Sequence, residues 1–239
     1  MKDWFEDWFG EEYLALYPHR DETEAQHAVE MIEAELHRKH VNRVLDLACG
    51  AGRHTRPLAD RWWTVGLDLS AVLLKVAHAA EPDGNYVRGD MRVLPFADRS
   101  FDLCVNLFTS FGYFDSDAQH LRVLAEVARV VDVGGMFVLD FLNSESVGTN
   151  LVACDERKVG DRVVEQRRII TSDGRFVQKT ISLSGSEKKF IERVRLFSVE
   201  ELEMMLEESG FRVAAKNGDY AGAPITSDSP RAILFAVRE

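Results

Sequence analysis

"VNRVLDLACGAGRHT" (residues 41–55) runs from an apolar strand pattern into two glycines one residue apart, Gly50 and Gly52. A strand that ends in glycines lets the chain turn tightly and brings backbone N–H groups close to a ligand at the next helix. On its own this is a common tight turn, with or without a ligand. The downstream sequence decides between the two.

Beyond the turn, strand and helix patterns alternate. "RVLDLA" is followed by a helix in "RHTRPLADR", a second strand "WTVGLDLS", and a helix "SAVLLKVAHAA" capped by Ser70. A third strand "GNYVRGD" and a fourth "SFDLCVNLF" precede the helix "DAQHLRVLAEVARVV", expected to close at Gly134 and Gly135, and a fifth strand "MFVLDFLN". This order predicts an α/β fold with a mostly parallel sheet covered by helices on both faces. The alternation then stops. "RVVEQRRIITSDGRFVQKTISLSG" alternates apolar and polar residues and turns at "SDG", "KKFIERVRLF" supplies another strand, and "CDERKVGDR" is a further candidate. Residues 147–197 therefore read as an antiparallel β insertion, a candidate substrate cover. "SVEELEMMLEESG" returns as a helix with Ser198 as cap and Gly210 as stop, before two closing strands, "FRVAAKNGDY" and "AILFAVRE". Residues 1–40 read as an N-terminal helical and aromatic lid segment. It holds Trp4, Phe5, Trp8, Phe9, Tyr13 and Tyr17, a break at Pro18, a cap at Asp21 or Thr23, and then the helix "ETEAQHAVEMIEAELHRKH".

Open parallel sheets bind ligands beyond the carboxyl ends of their strands. Asp68 ends strand two about 20 residues beyond the glycine turn, where a carboxylate can accept both hydroxyls of a ribose. Asp90 and Met91, in "VRGDM", can accept from an adenine amino group and pack on its ring. Asn106 sits where the apolar fourth strand opens into "FTSFGYF". Each has a plainer reading as loop cap or core residue, but four such features at successive strand ends point to one ligand.

Taken in order, "VLDLACGAGRHT", "VGLDLS", "RGDMRVLPF", "FDLCVNLFTSFGYF" and "EVARVVDVGGMFVLD" resemble the motifs of the class I S-adenosylmethionine-dependent methyltransferases. The resemblance covers residues 41–143 and the closing strand pair. It implies a Rossmann-like sheet of seven strands with the last antiparallel, and a core of residues 41–146 and 198–239. It also implies S-adenosyl-L-methionine as cofactor. The family's glycine loop carries to Ala48, Gly50 and Gly52, ordered by Asp46. Its ribose acid carries to Asp68, with Leu69 against the adenine, and its adenine-edge pair to Asp90 and Met91. Asn106, Leu107 and Phe108 match the strand-four border of the cofactor. Arg53 and His54 resemble a "GxGRH" variant in which one side chain reaches the carboxylate end of the cofactor.

Two other readings stay open at this point. A nicotinamide-dependent oxidoreductase would want a third small residue where this chain has Thr55, and a non-catalytic binding protein of the same fold would bind without turnover. The acceptor is expected to be a small molecule methylated on N or O. Base methylation wants prolines where the chain reads "NLFT", and arginine methylation wants a pair of glutamates that is missing near strand four. The sulfonium donor is already activated, so alignment and exclusion of water are expected to suffice, with no catalytic residue assigned. Tyr13, Tyr17, His19 and Arg20 from the lid, and Phe111, Tyr113 and Phe114 after strand four, are candidate substrate or lid residues. The lid aromatics could equally anchor on the sheet, and the loop aromatics could equally be core. Arg167, Arg168, Lys188 and Lys189 are expected to form a solvated face.

The 239 residues carry a formal net charge of −11, which argues against a broad nucleic-acid footprint. Cys49, Cys104 and Cys154 are odd in number and far apart, as in a reducing compartment, and the histidines show no close metal-ligand spacing, so no metal is expected. No apolar run reaches the roughly 20 residues of a membrane span. The acidic start "MKDWFEDWFGEEY" is unlike a signal peptide. The expectation is a cytoplasmic monomer or homodimer without membrane or nucleic-acid partners.

Overall fold

The computed structural model describes residues 3–17, 22–36 and 40–239. Along the chain come α1 (Trp4–Trp8), α2 (Glu11–Leu16) and α3 (Glu22–Glu35). The core then alternates through β1 (Arg43–Leu47), α4 (Thr55–Ala59), β2 (Trp63–Asp68), α5 (Ala71–Ala80), β3 (Asn85–Arg88), β4 (Phe101–Asn106), α6 (Asp117–Val130) and β5 (Val131–Leu142). After α7 (Ser144–Asn150) come β6 (Cys154–Val159), β7 (Arg162–Ile170), β8 (Phe176–Leu183) and β9 (Lys189–Arg195). The chain ends with α8 (Val199–Glu208), β10 (Phe211–Asn217) and β11 (Arg231–Arg238).

Seven strands form one sheet in the order β10-β11-β5-β4-β1-β2-β3, with β11 antiparallel to both neighbours and the β1–β5 pairings parallel. Successive strand residues face opposite sides, so one apolar run feeds two cores. Leu45, Leu47, Phe137 and Leu139 join α6 and α8 in one cluster, while Val44, Leu103, Val105 and Val138 join α3 and α4 in the other. The order reverses between β1 and β4, and the loops leaving the ends of β1, β2, β3 and β4 gather on one edge of the sheet. That edge is where a doubly wound sheet takes its ligand.

Several boundaries differ from the sequence reading. Helix α6 stops at Val130, because the β-branched run "VVDV" continues as strand. Gly134 and Gly135 thus lie inside β5 and do not cap the helix. A Cβ on Gly135 would sit 2.8 Å from the Asp132 carbonyl oxygen and 2.9 Å from that of Asp102, so only glycine fits. The segment 144–150 is a helix, started by Asn143, whose side chain accepts from the Glu145 N–H (3.2 Å). Thr23 lies within the first turn of α3, so it is not the cap. Pro18 and Asp21 are outside the described residues. Strands β6 to β9 form a separate antiparallel sheet in sequential order, and β7 and β8 pair across the "SDG" turn as expected. Helix α8 carries a full capping box between Ser198 and Glu201.

The second sheet receives the N-terminal helices. Trp8 is buried with its ring 4.6 Å from Phe190 and its indole N–H donating to Glu192 Oε1 (2.7 Å). Arg168 pairs with Asp155, Arg167 with Glu165 and Lys188 with Glu12, so these cations serve surface pairs. Trp8→Ala should lower the unfolding free energy by about 3–5 kcal/mol, read from chemical denaturation, since it leaves a large void under the short helices. A loss below about 1 kcal/mol would mean that the helices do not depend on this anchor.

Candidate active site

The loop after β1 is built on left-handed turns. Ala48, Gly50 and Gly52 have φ of +61°, +57° and +77°. For an alanine this conformation costs roughly 1–2 kcal/mol, so neighbouring bonds must hold it. They do: the Cys49 N–H donates to the Leu67 carbonyl (3.0 Å), and the Gly50 N–H donates to Asp68 Oδ2 (2.8 Å). The other Asp68 oxygen accepts the Ser70 N–H (2.8 Å). Burial raises the Asp68 carboxyl above its ordinary range, and its backbone donors offset only part of that.

Asp46, one strand over, is fully buried and accepts the Thr55 hydroxyl (2.6 Å). Burial drives its pKa up to about 7, with the negative Asp68 adding to the rise and the Thr55 hydrogen bond opposing it. Gly52 packs away from the open space, where a Cβ would lie 2.6 Å from the Tyr86 hydroxyl oxygen. A Cβ on Gly50 would meet only Leu73, at 3.8 Å.

A cavity of about 650 Å³ opens over this loop. That is in the range of small-molecule and cofactor sites. Ten of the sequence-predicted cofactor residues line it: Ala48, Gly50, Arg53, His54, Asp68, Leu69, Asp90, Met91, Leu107 and Phe108. Asp46, Gly52 and Asn106 stand behind the wall. Asn106 is buried, and its side-chain N–H donates to the Leu47 carbonyl (2.9 Å), tying β4 to β1. Asp90 is in place but engaged: Arg92 holds both of its oxygens at 2.7–3.0 Å. Burial would raise the Asp90 carboxyl, yet the Arg92 guanidinium and backbone N–H outweigh it and keep it below the usual range. Arg53 pairs with Glu24 of α3 (2.9 Å), and its guanidinium lies 4.5 Å from the Phe108 ring centroid.

The cover comes from α1 and α2. Phe5, Phe9, Tyr13 and Tyr17 line the cavity from above, and Tyr113 and Phe114 line it from the loop after β4. The Ser70 hydroxyl donates to the Phe9 carbonyl (2.6 Å) and joins this cover to the end of β2. Phe111 does not reach the cavity. It is fully buried against His120, Phe141 and Phe197, because its neighbour Gly112 (φ +93°) turns the chain inward there. His19 and Arg20 are outside the described residues. Phe5, Phe9 and Ser110 were not singled out as site residues from the sequence. The density of aromatics in residues 4–17 was the available signal for the first two. Among the described residues no cluster of His, Cys, Asp or Glu could hold a metal ion, and no helix is long and apolar enough to cross a membrane.

Residues 44–135 match the family model described as "Methyltransferase domain". A demethylmenaquinone methyltransferase of Renibacterium salmoninarum is 41% identical over 98 residues, which are 41% of this chain and 40% of that enzyme. The chain thus aligns with about two fifths of that relative. A dTDP-3-amino-3,6-dideoxy-alpha-D-glucopyranose N,N-dimethyltransferase of Streptomyces fradiae is 28% identical over 211 residues, 83% of this chain and 82% of that enzyme. Among solved structures, the CcbJ methyltransferase of Streptomyces caelestis superposes with a TM-score of 0.82 at 18% identity, over 97% of this chain and 98% of that one. At that identity the likeness is one of fold.

The raised Asp46 carboxyl gives a pH prediction. The carboxyl titrates near 3.8 ordinarily and near 7 in the fold. Between those values the folded state keeps a proton that the unfolded chain has released, so rising pH lowers stability through this group until about pH 7. Asp46→Asn removes the effect and leaves an oxygen for Thr55. From pH 4 to 7.5 the wild type should lose about 2–4 kcal/mol relative to the variant in urea unfolding. Parallel pH profiles for the two proteins would contradict the assignment.

Proposed function

We propose, from the premise that residues 44–135 are a class I methyltransferase domain, that the chain moves the methyl group of S-adenosylmethionine to an amine nitrogen of a small-molecule acceptor. The observation that carries this reading is the convergence of the left-handed 48–52 loop, Asp68 and the Asp90–Met91 pair on one cavity. The open face above Gly50 and the buried carboxyl of Asp68 fit an adenosine ligand that carries a sulfonium and an amino-acid tail.

When bound, the cofactor supplies an activated methyl on a sulfonium. The chain's own part is to bind, align and keep water out. Asp68 accepts the ribose hydroxyls while it holds Gly50 in place. Leu69 and Met91 give the adenine an apolar seat, and Ala48 with Gly50 turns backbone N–H groups toward the methionine end. Arg53, braced by Glu24, reaches the carboxylate end. The aromatic cover formed by α1 and α2 closes the cavity on the acceptor side; residues 147–197 line none of it and act by supporting that cover from beneath.

An amine acceptor is favoured by two features. The Streptomyces fradiae relative, which aligns over most of both chains, is named for dimethylating an amino sugar. The mouth itself is aromatic, with Glu6 also on its wall, while Glu22 there is paired with Arg56; the ring faces and the Glu6 carboxylate are a setting that draws an ammonium group. The dinucleotide alternative is disfavoured by Thr55, whose hydroxyl is committed to Asp46 at the position that fingerprint keeps small.

S-adenosylhomocysteine should raise the melting temperature of the wild type, and NADH should leave it unchanged. In calorimetry, Asp68→Ala should weaken S-adenosylhomocysteine binding at least roughly tenfold, about 1.4 kcal/mol. Unchanged affinity would remove Asp68 from the site. Methyl-labelled cofactor offered with a panel of amino sugars and a panel of phenols separates the acceptors: label only on phenols would defeat the amine assignment.

A further inference from the structure

Phe108 and Thr109, directly after β4, both have φ of +61°. Neither is glycine, and threonine is β-branched, so the left-handed conformation is strained twice in succession. Such strain persists only where the surroundings over-determine the backbone. The surroundings here are a buried polar cluster. Asp140 is fully buried inside the apolar run of β5. Its Oδ2 accepts the Phe108 N–H (2.8 Å) and the Tyr220 hydroxyl (2.6 Å). Its Oδ1 accepts Arg231 Nε (2.7 Å), and its carbonyl accepts the Thr109 N–H (3.0 Å). Arg231 Nη2 completes the ring of contacts by donating to Thr109 Oγ1 (3.1 Å).

Asp140, Tyr220 and Arg231 come from β5, the β10–β11 connection and the first residue of β11, and none of them lines the cavity. Phe108 and Ser110 do line it, on either side of the Thr109 that the cluster grips. The Arg231 guanidinium also lies 5.5 Å from the Phe108 ring centroid. The cluster therefore reaches the site through the 108–110 backbone and through the Arg231 guanidinium beside the Phe108 ring.

We propose that Asp140, Tyr220 and Arg231 are positioning residues that hold Phe108–Ser110 in its left-handed turn and so set the cavity wall. That this wall faces the cofactor rests on the methyltransferase function proposed above, whereas the hold on the backbone is independent of it. A buried carboxylate that, with its own carbonyl, binds two backbone N–H groups, a phenol and a guanidinium at once leaves the turn no alternative pairing.

The test compares Tyr220→Phe and Arg231→Lys with the wild type by amide hydrogen exchange and by calorimetric S-adenosylhomocysteine binding. Tyr220→Phe removes one hydroxyl and leaves the Arg231 pair, so the chain keeps its fold. Exchange at Phe108–Ser110 should rise roughly tenfold while β1 and β2 amides stay unchanged. S-adenosylhomocysteine affinity should fall roughly threefold to tenfold. Thr109→Asn gives the turn a residue that tolerates the left-handed region. In that background Tyr220→Phe should raise exchange by less than about threefold and spare the affinity. A merely structural role would loosen β1 and β2 as well and would gain nothing from Thr109→Asn. Exchange that does not rise at 108–110, rises everywhere, or rises equally in the Thr109→Asn background overturns the proposal, as does unaltered affinity with a loosened turn. If the wild type binds no S-adenosylhomocysteine, the functional reading falls, and the exchange results still decide the positioning role.

Discussion

The hydrogen bond from the Gly50 N–H to the buried carboxylate of Asp68 is the constraint on which the site depends. Its two ends belong to different crossovers, the β1–α4 loop and the end of β2. They meet because β1 and β2 pair in parallel with Leu47 opposite Leu67. The bond offsets three local costs together. Asp68 loses water on burial, Gly50 would otherwise hold an unsatisfied N–H, and Ala48 sits in a conformation that alanine avoids. A carboxylate here cannot be exchanged for a neutral surface residue without releasing the loop. The same residue orders the loop in the free protein and, in the proposed function, presents oxygen to a ligand. That double duty is why a single acid at this strand end carries so much of the reading.

The cover depends on a second constraint. Helices of five and six residues are too short to persist in water by themselves, because nucleation takes more than one turn returns. Their persistence comes from the second sheet. Trp8 hydrogen bonds to Glu192, Glu192 pairs with Lys179, Arg157 donates to the Leu16 carbonyl (2.9 Å), and Val164, Ile181, Leu183 and Phe190 supply the apolar floor. The β insertion thus makes an ordered wall out of an aromatic segment that could not hold its own shape. Ser70, bonded to the Phe9 carbonyl, ties that wall to the end of β2.

The fold was legible because its signals are local and repeated. Apolar runs ending in Gly50, Asp68, Asp90 and Asn106 state both the alternation and the edge where the loops meet. What was illegible depends on distant packing. "RVVDVGG" follows a helical pattern without a break; its β-branched residues continue as strand, and the Asp132 and Asp102 carbonyls leave no room for a Cβ at Gly135. Phe111 and Phe114 look equivalent in "SFGYF" and both are buried in one core, yet only Phe114 also lines the cavity, since a loop has no periodicity to assign a face. Asp90 lies on that edge and lines the cavity. Its capture by Arg92, two residues on, depends on the turn between them, for which sequence offers no template. Asp140 stood in plain view as a charge inside "VLDFL", but its partners Tyr220 and Arg231 lie 80 and 91 residues away.

The commitments of three buried acids and of the half-buried Asp90 bear on the chemistry. Asp46 holds Thr55, Asp68 holds two backbone N–H groups, Asp90 is clamped by Arg92, and Asp140 is enclosed by Tyr220, Arg231 and the Phe108 N–H. Each of these carboxylates, which the interior could offer as a proton acceptor, is thus already occupied by the architecture. An alcohol acceptor would have to give up a tightly held proton before or during attack, and it would need such an acceptor nearby. An amine needs less: drawn in as an ammonium it gives up one proton, which is far less tightly held than an alcohol's, and its lone pair then attacks before any further proton leaves. With the activated methyl donor of the proposed reaction, a chain that spends these acids on holding loops in place suits an amine, whose one proton is easily lost, better than an alcohol.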